Sequence, residues 1–137
     1  MKMVKIIPAL PVVHIERAVA FYTTKLRFNA RHVEPGFAIL NRDDIELHLW
    51  ASGDKKCKRR LLWLRKCPVV SGAESFLAGT ASCRIEVLEI DTLYEEYKQR
   101  NVLYALDTMV TKQPWGVLEF PVRDLYGNLL TFYEECK

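Results

Sequence analysis

Residues 36–50, GFAILNRDDIELHLW, have a counterpart in residues 115–133, WGVLEFPVRDLYGNLLTFY. Each runs through an aromatic residue near a turn, an apolar strand, an Arg-Asp pair, a tight turn and a second apolar strand. Phe37 and Trp115 fall at matching places in the two copies. A duplication on this scale constrains folding more than any single motif, because each copy is one supersecondary unit that buries its apolar face against a neighbour.

The flanking segments extend the repeat. IIPALPVV is a β-rich run, and HIERAVAFYTTKLRF follows with Ile15, Val19, Tyr22 and Leu26 on one helical stripe. GFAILN and DIELHLW are strands joined by the polar turn Arg42-Asp43-Asp44. In the second half SCRIEVLEI is a strand. DTLYEEYKQRN is a helix with Ile90, Leu93, Tyr94 and Tyr97 on one face and Asp91 or Thr92 placed to cap it. Glu96 and Arg100 stand at ion-pairing distance along its wet side. YALDTMV, WGVLEFPV and NLLTFYEE are read as the closing strands. The expectation is an α+β domain spanning 1–137. It contains a βαβββ module over 1–52, a basic linker over 53–79 and a second βαβββ module over 80–137, with curved mixed sheets around a cleft.

Composition excludes some functions. The longest apolar run, Ile6 to Val13, is short and interrupted by two prolines, so neither a membrane span nor a signal peptide is expected. Cys57, Cys67, Cys83 and Cys136 show no metal-finger spacing, which fits reduced thiols in a cytoplasmic protein. Residues 53–68 hold seven of the twenty Lys and Arg and one of the seventeen acidic residues. The rest of the chain therefore carries 13 basic and 16 acidic groups, a balance of −3. The basicity belongs to one segment. No helix interleaves basic and base-reading residues, so nucleic acid is not the expected partner.

IPALPVVHIERAVAFYTTKLRF, GFAILNRDDIELHLW, SCRIEV with LYEEY, and above all QPWGVLEFPVRDLYGNLLTFYE resemble the vicinal oxygen chelate superfamily of glyoxalases, ring-cleaving dioxygenases and antibiotic resistance proteins. Within it the chain is most similar to the bleomycin resistance branch, over its whole length except 53–70. The resemblance implies a homodimer whose first strand crosses to the partner, pivoting at Pro8 or Pro11, with two clefts formed between subunits. It also implies stoichiometric binding of a bleomycin-like glycopeptide or another planar ligand, stacked between aromatic residues at Phe37 and Trp115. His32, His48, Trp50, Arg84, Glu119 and Thr131 are the further residues expected to contact it. Trp63, inside the basic segment, is a weaker candidate.

Metalloenzymes of this superfamily take their ligands from the first strand of each half and from the last strands. Here those stations offer Ile7 and Leu10, Ser82 and Cys83, and Thr131. A divalent cation needs three or more anionic or imidazole donors, so no metal or other cofactor is expected. His14, His32 and His48 are far apart in sequence, and no Ser or Cys lies in a nucleophile motif. No catalytic residue is assigned. The alternative is a glyoxalase- or dioxygenase-type enzyme with atypical ligands such as His48 and Glu46. An exposed Trp is more easily explained by a ligand than by folding. Arg84, facing inward, calls for Glu86, Glu46 or Glu119 as a partner.

Overall fold

A computed structural model describes residues 1–52 and 77–137. Trp63, Cys57, Cys67 and most of the basic segment lie outside the described residues. The first module runs β1 (Ala9–Val12), α1 (Ile15–Thr24), β2 (Asn29–Glu34), β3 (Phe37–Arg42) and β4 (Ile45–Ala51). The second runs β5 (Ser82–Glu86), α2 (Ile90–Gln99), β6 (Thr111–Lys112), β7 (Val117–Arg123) and β8 (Leu129–Glu135). Each module builds one four-stranded mixed sheet, ordered β1-β4-β3-β2 and β5-β8-β7-β6. In both, the strand before the helix pairs parallel with the last strand, and the other pairs are antiparallel.

Alternation along the strands explains why each sheet buries one face. Ala38, Leu40, Leu47 and Leu49 point to the core from β3 and β4, and Phe120, Val122, Leu130 and Phe132 from β7 and β8. The helices cover these faces with the residues their spacing predicts. Ile15, Ala18 and Tyr22 are buried from the first and Leu26 just beyond its end, Ile90 and Tyr97 from the second, and Val19, Leu93 and Tyr94 pack against the same core.

Two polar networks pin one module to the other. The Tyr22 hydroxyl donates to Asp124 at 2.9 Å. Asn128 donates to Asp124 at 2.8 Å and to the Pro11 carbonyl at 2.9 Å, and accepts from the Ala81 N–H at 3.2 Å. Asp124 also accepts from the backbone of Tyr126 and Asn128, so its burial is compensated. This is the structural work of the Arg-Asp…Gly-Asn pattern. Gly127, at φ 95°, lets the chain turn tightly between the two partners. On the other side, Arg42 donates to the Leu26 carbonyl at 2.8 Å, to Tyr97 at 3.0 Å and to Glu96 at 3.1 Å. Burial pushes the Tyr97 phenol up to about 12, so it stays protonated and donates to the Leu26 carbonyl at 3.0 Å.

Several expectations need correction. Tyr104–Val110 is not a strand; the short β6, Thr111–Lys112, takes that place. Tyr104, Leu106 and Met109 are exposed, so the apolar residues of YALDTMV never form a buried face. The strand Asn29–Glu34 has no apolar alternation because all six residues are exposed. Neither Asp91 nor Thr92 caps α2. Glu89 sits at the N-cap in the left-handed region, and the Glu134 carboxylate accepts from the Ile90 N–H at 2.9 Å and the Glu89 N–H at 3.3 Å. A carboxylate from β8 thus satisfies the helix end. Glu96 and Arg100 do pair, at 3.8 Å.

Candidate functional site

The sheet faces turned away from the helices carry the candidate residues. On the first sheet, Phe37 lies opposite Trp50 and Ile39 opposite His48. The Phe37 ring is 4.5 Å from Trp50, 5.1 Å from His48 in an edge-on arrangement, and 6.0 Å from His32. Four of the eight sequence-predicted residues therefore form one aromatic wall. All four retain solvent access, so the wall is not a second core.

Beside the aromatic rings sits an ionic cluster. Glu46 receives Lys5 Nζ at 2.5 Å, His48 Nε2 at 2.8 Å and Arg31 Nη2 at 3.2 Å. A register shift between Ala30 and His32 makes Arg31 the extra residue of a bulge in β2. The Lys5 hydrogen bond, then that of His48, hold the Glu46 carboxyl at about 2. Glu46, two residues before His48 on the same strand face, is the hydrogen-bond partner of its ring.

On the second sheet Arg84 donates to Glu119 at 2.5 Å, and its guanidinium lies 5.0 Å from the centre of the Tyr133 ring. Thr131 stands level with Arg84 on one side and with Pro121 on the other. Three more predicted residues thus share a face, and Glu119 is the partner Arg84 takes among the three acids considered. Arg84 remains half-exposed rather than buried.

Trp115 belongs to neither cluster. It sits at the tip of the turn between β6 and β7, where the Gly116 N–H donates to the Gln113 carbonyl at 3.1 Å and the Gln113 N–H to the Val117 carbonyl at 2.8 Å. Gly116 adopts φ 88° with open space around it, so glycine is required by the backbone and not by packing. Pro114 supplies the fixed φ of the preceding turn position. The turn leaves Trp115 66% exposed. Phe37 and Trp115 do not hold matching places. Phe37 is the first residue of its strand, whereas Trp115 stands two residues ahead of β7, on a turn that projects it beyond the sheet. Among the described residues, no hydrogen bond, ion pair or ring contact joins the two faces within the chain.

Sequence reasoning did not single out Tyr133, Arg31 or Lys5. Tyr133 was accessible to it, being two residues from Thr131 on the same strand face. Arg31 depends on a bulge and Lys5 on the path of the chain before β1, and neither leaves a periodic signal. A cavity of about 450 Å³ lies elsewhere, between the Arg42–Ile45 turn and the start of α2, and none of the eight predicted residues lines it. An open sheet face encloses no volume until something covers it.

The Glyoxalase/Bleomycin resistance protein/Dioxygenase superfamily matches residues 6–132. The chain belongs to this superfamily. It is 42% identical over 135 residues to a bleomycin resistance protein of Geobacillus stearothermophilus and to one of Staphylococcus aureus, covering 98% of this chain and 99% of each relative. Among solved structures it is similar to the bleomycin-binding protein of the bleomycin producer Streptomyces verticillus, complexed with copper(II)-bleomycin. That match has a TM-score of 0.71 and 27% identity over 96% of both chains. The bleomycin resistance determinant encoded on transposon Tn5 shares the fold at a TM-score of 0.70 and 20% identity, over 97% of this chain and 98% of that one.

The metal chemistry known in the superfamily can be tested against the donor set. On the open faces β1 presents Ala9, β5 presents Ser82, Arg84 and Glu86, and β8 presents Thr131 and Tyr133. Of these only Glu86 is a carboxylate, and none is an imidazole. Among the described residues, no group of three or more His, Cys, Asp or Glu comes together as a ligand set. The described residues do not fit a divalent cation. Cys83 offers no nucleophile, because burial, then the Asp124 charge, push its thiol up to about 11. Among the described residues, no helix is long and apolar enough to cross a membrane.

Proposed function

We propose that this protein binds a bleomycin-type glycopeptide stoichiometrically, as a binding protein rather than an enzyme. In this reading the ligand's flat heteroaromatic portion stacks on Trp115 and Phe37. The observation that carries the reading is Trp115: a turn built by Pro114 and Gly116 spends its tip on the largest apolar side chain and leaves it two-thirds exposed. Stacking a planar ligand there removes apolar area from water and adds on the order of 1 kcal/mol per aromatic pair. The names of the relatives, and the bleomycin held by the Streptomyces verticillus protein, support the choice of ligand. Outside 53–68 the net charge of −3 favours capture of a cationic drug.

The same reading makes the protein a cytoplasmic homodimer. The Phe37 wall of one protomer faces the Trp115 turn and the Arg84–Glu119 face of its partner, so Phe37, His32, His48, Trp50, Arg84, Glu119, Thr131 and Trp115 line each cleft. Its support is that the two open faces are separate within one chain. In addition, Met1, Met3, Val4 and Ile6 stand exposed ahead of β1, an apolar surface that a second protomer would cover, whereas β1 itself pairs with β4 of its own chain rather than crossing over. Residues 1–137 act as one domain, with 53–79 linking its two modules.

The test is calorimetric titration of the wild-type protein with metal-free bleomycin, with light scattering on the same sample. The expected result is saturable binding at one drug per chain by a dimer. Absence of binding at drug concentrations up to a millimolar, or a monomer at micromolar protein, overturns the corresponding part.

A further inference from the structure

His48 and Glu46 are joined by a contact whose direction is set by chemistry. A carboxylate held at about 2 is ionised at neutral pH and can only accept. In the 2.8 Å contact, Nε2 must therefore carry the proton, and a neutral His48 ring is left with a bare lone pair on Nδ1. Among the described residues, no hydrogen bond engages Nδ1. The ring stands in the aromatic wall, edge-on to Phe37 at 5.1 Å, with 23% of its side chain exposed. Lys5 and Arg31 supply positive charge to the same carboxylate, at 2.5 and 3.2 Å, and so keep it ionised and in place.

We propose that Glu46 is a positioning residue that fixes His48 as the Nε2–H tautomer, so that His48 Nδ1 accepts an N–H donor from the bound ligand. The inference rests on the ligand-binding reading above and adds a polar specificity element to a stacking site. Stacking alone takes any flat molecule. An acceptor fixed in one tautomer selects planar ligands that bear an amide, amine or ring N–H at their edge, and disfavours those that present only acceptors there. A ring free to exchange tautomers would not discriminate, because it could turn either a donor or an acceptor toward the ligand.

The experiment uses the full chain labelled with 15N-histidine. Imidazole 15N shifts at neutral pH, assigned by comparison with His48→Phe, report which nitrogen of His48 carries the proton. The wild type is expected to show the Nε2–H form, and its Nδ1 resonance to move toward the hydrogen-bonded position when metal-free bleomycin is added. Glu46→Ala should give a mixture of tautomers and weaken binding of metal-free bleomycin roughly three- to tenfold, the range for one net hydrogen bond. Glu46→Gln, whose amide oxygen still accepts from Nε2–H, should restore both the tautomer and most of the affinity. A general loosening of the sheet would lower affinity without moving the tautomer. The proposal is overturned if wild-type His48 carries its proton on Nδ1. It is equally overturned if the drug binds but leaves the His48 shifts unmoved and Glu46→Ala binds as tightly as wild type, in which case the ligand-binding reading stands without it. If the wild type binds no bleomycin, that reading fails and the inference fails with it.

Discussion

Replacing Asn128 by Ala measures how firmly the two modules are pinned. The side chain is fully buried and makes three hydrogen bonds, two as donor to Pro11 and Asp124 and one as acceptor from Ala81. Alanine removes all three. The Ala81 N–H loses the acceptor that satisfies it, and Asp124 Oδ2 keeps only the Tyr22 hydroxyl. At a net ~1 kcal/mol for each of the three bonds, with about 1 kcal/mol more for the part-buried Ala81 N–H left without its acceptor, the loss is about 4 kcal/mol. For a domain of this size that lowers the melting temperature by roughly 10–15 °C. The assay is urea unfolding followed by far-ultraviolet circular dichroism, at one fixed protein concentration so that the proposed dimerisation contributes equally to every variant. A loss under about 1 kcal/mol with an unchanged m-value would refute the claim that this network joins the modules. Asn128→Asp should cost at least as much at neutral pH, since it sets a second carboxylate against Asp124.

Three further outcomes follow from single sites. Cys83, partly buried and with its thiol raised from an ordinary 9.0 to about 11, should alkylate markedly more slowly than exposed Cys136 at pH 8, read by site-resolved mass spectrometry; equal rates would contradict its burial. The Glu46 carboxyl is held at about 2, below its ordinary 4.5, chiefly by Lys5. Its contribution to stability is therefore complete above about pH 4.5 and lost as pH falls toward 2. The stability gap between wild type and Glu46→Gln should be open at pH 6 and closed at pH 2, and a gap that persists at pH 2 would remove the ion cluster as its source. Arg84→Met should weaken bleomycin binding severalfold while lowering stability little, because the Arg84 side chain is half-exposed; the reverse pattern would make the pair structural.

The duplicated pattern was legible because period-two burial writes itself into sequence. Leu47 and Leu49 face the core while Glu46, His48 and Trp50 face out, and the same rule places Thr131 and Tyr133 on one side of β8. That alternation was enough to bring His48 and Trp50 to Phe37, and Arg84 to Glu119, whereas His32 reaches Phe37 from a strand without it. What escaped was set by other physics. The wholly exposed β2 has no pattern to read. The end of α2 is capped by Glu134, a residue 44 positions from Ile90, so local capping signals pointed to the wrong side chains. Trp115 and Phe37 looked equivalent because their neighbours rhyme. Two additional residues on the Trp115 turn move it off the strand, and sequence similarity between the halves does not report that displacement.

The most direct test of the account is a binding and stability cycle on Trp115→Ala, Phe37→Ala and the double variant. Each would be titrated with metal-free bleomycin by calorimetry and melted in its absence. Trp115 is 66% exposed, so its truncation should cost far less stability than the 3–5 kcal/mol typical of a core Trp. It should nevertheless weaken binding by more than about 1 kcal/mol. If both rings hold one ligand plane, the two losses should be non-additive in the double variant. Normal binding by both single variants, together with a large fall in melting temperature for Trp115→Ala, would make QPWG a structural corner and contradict the clamp.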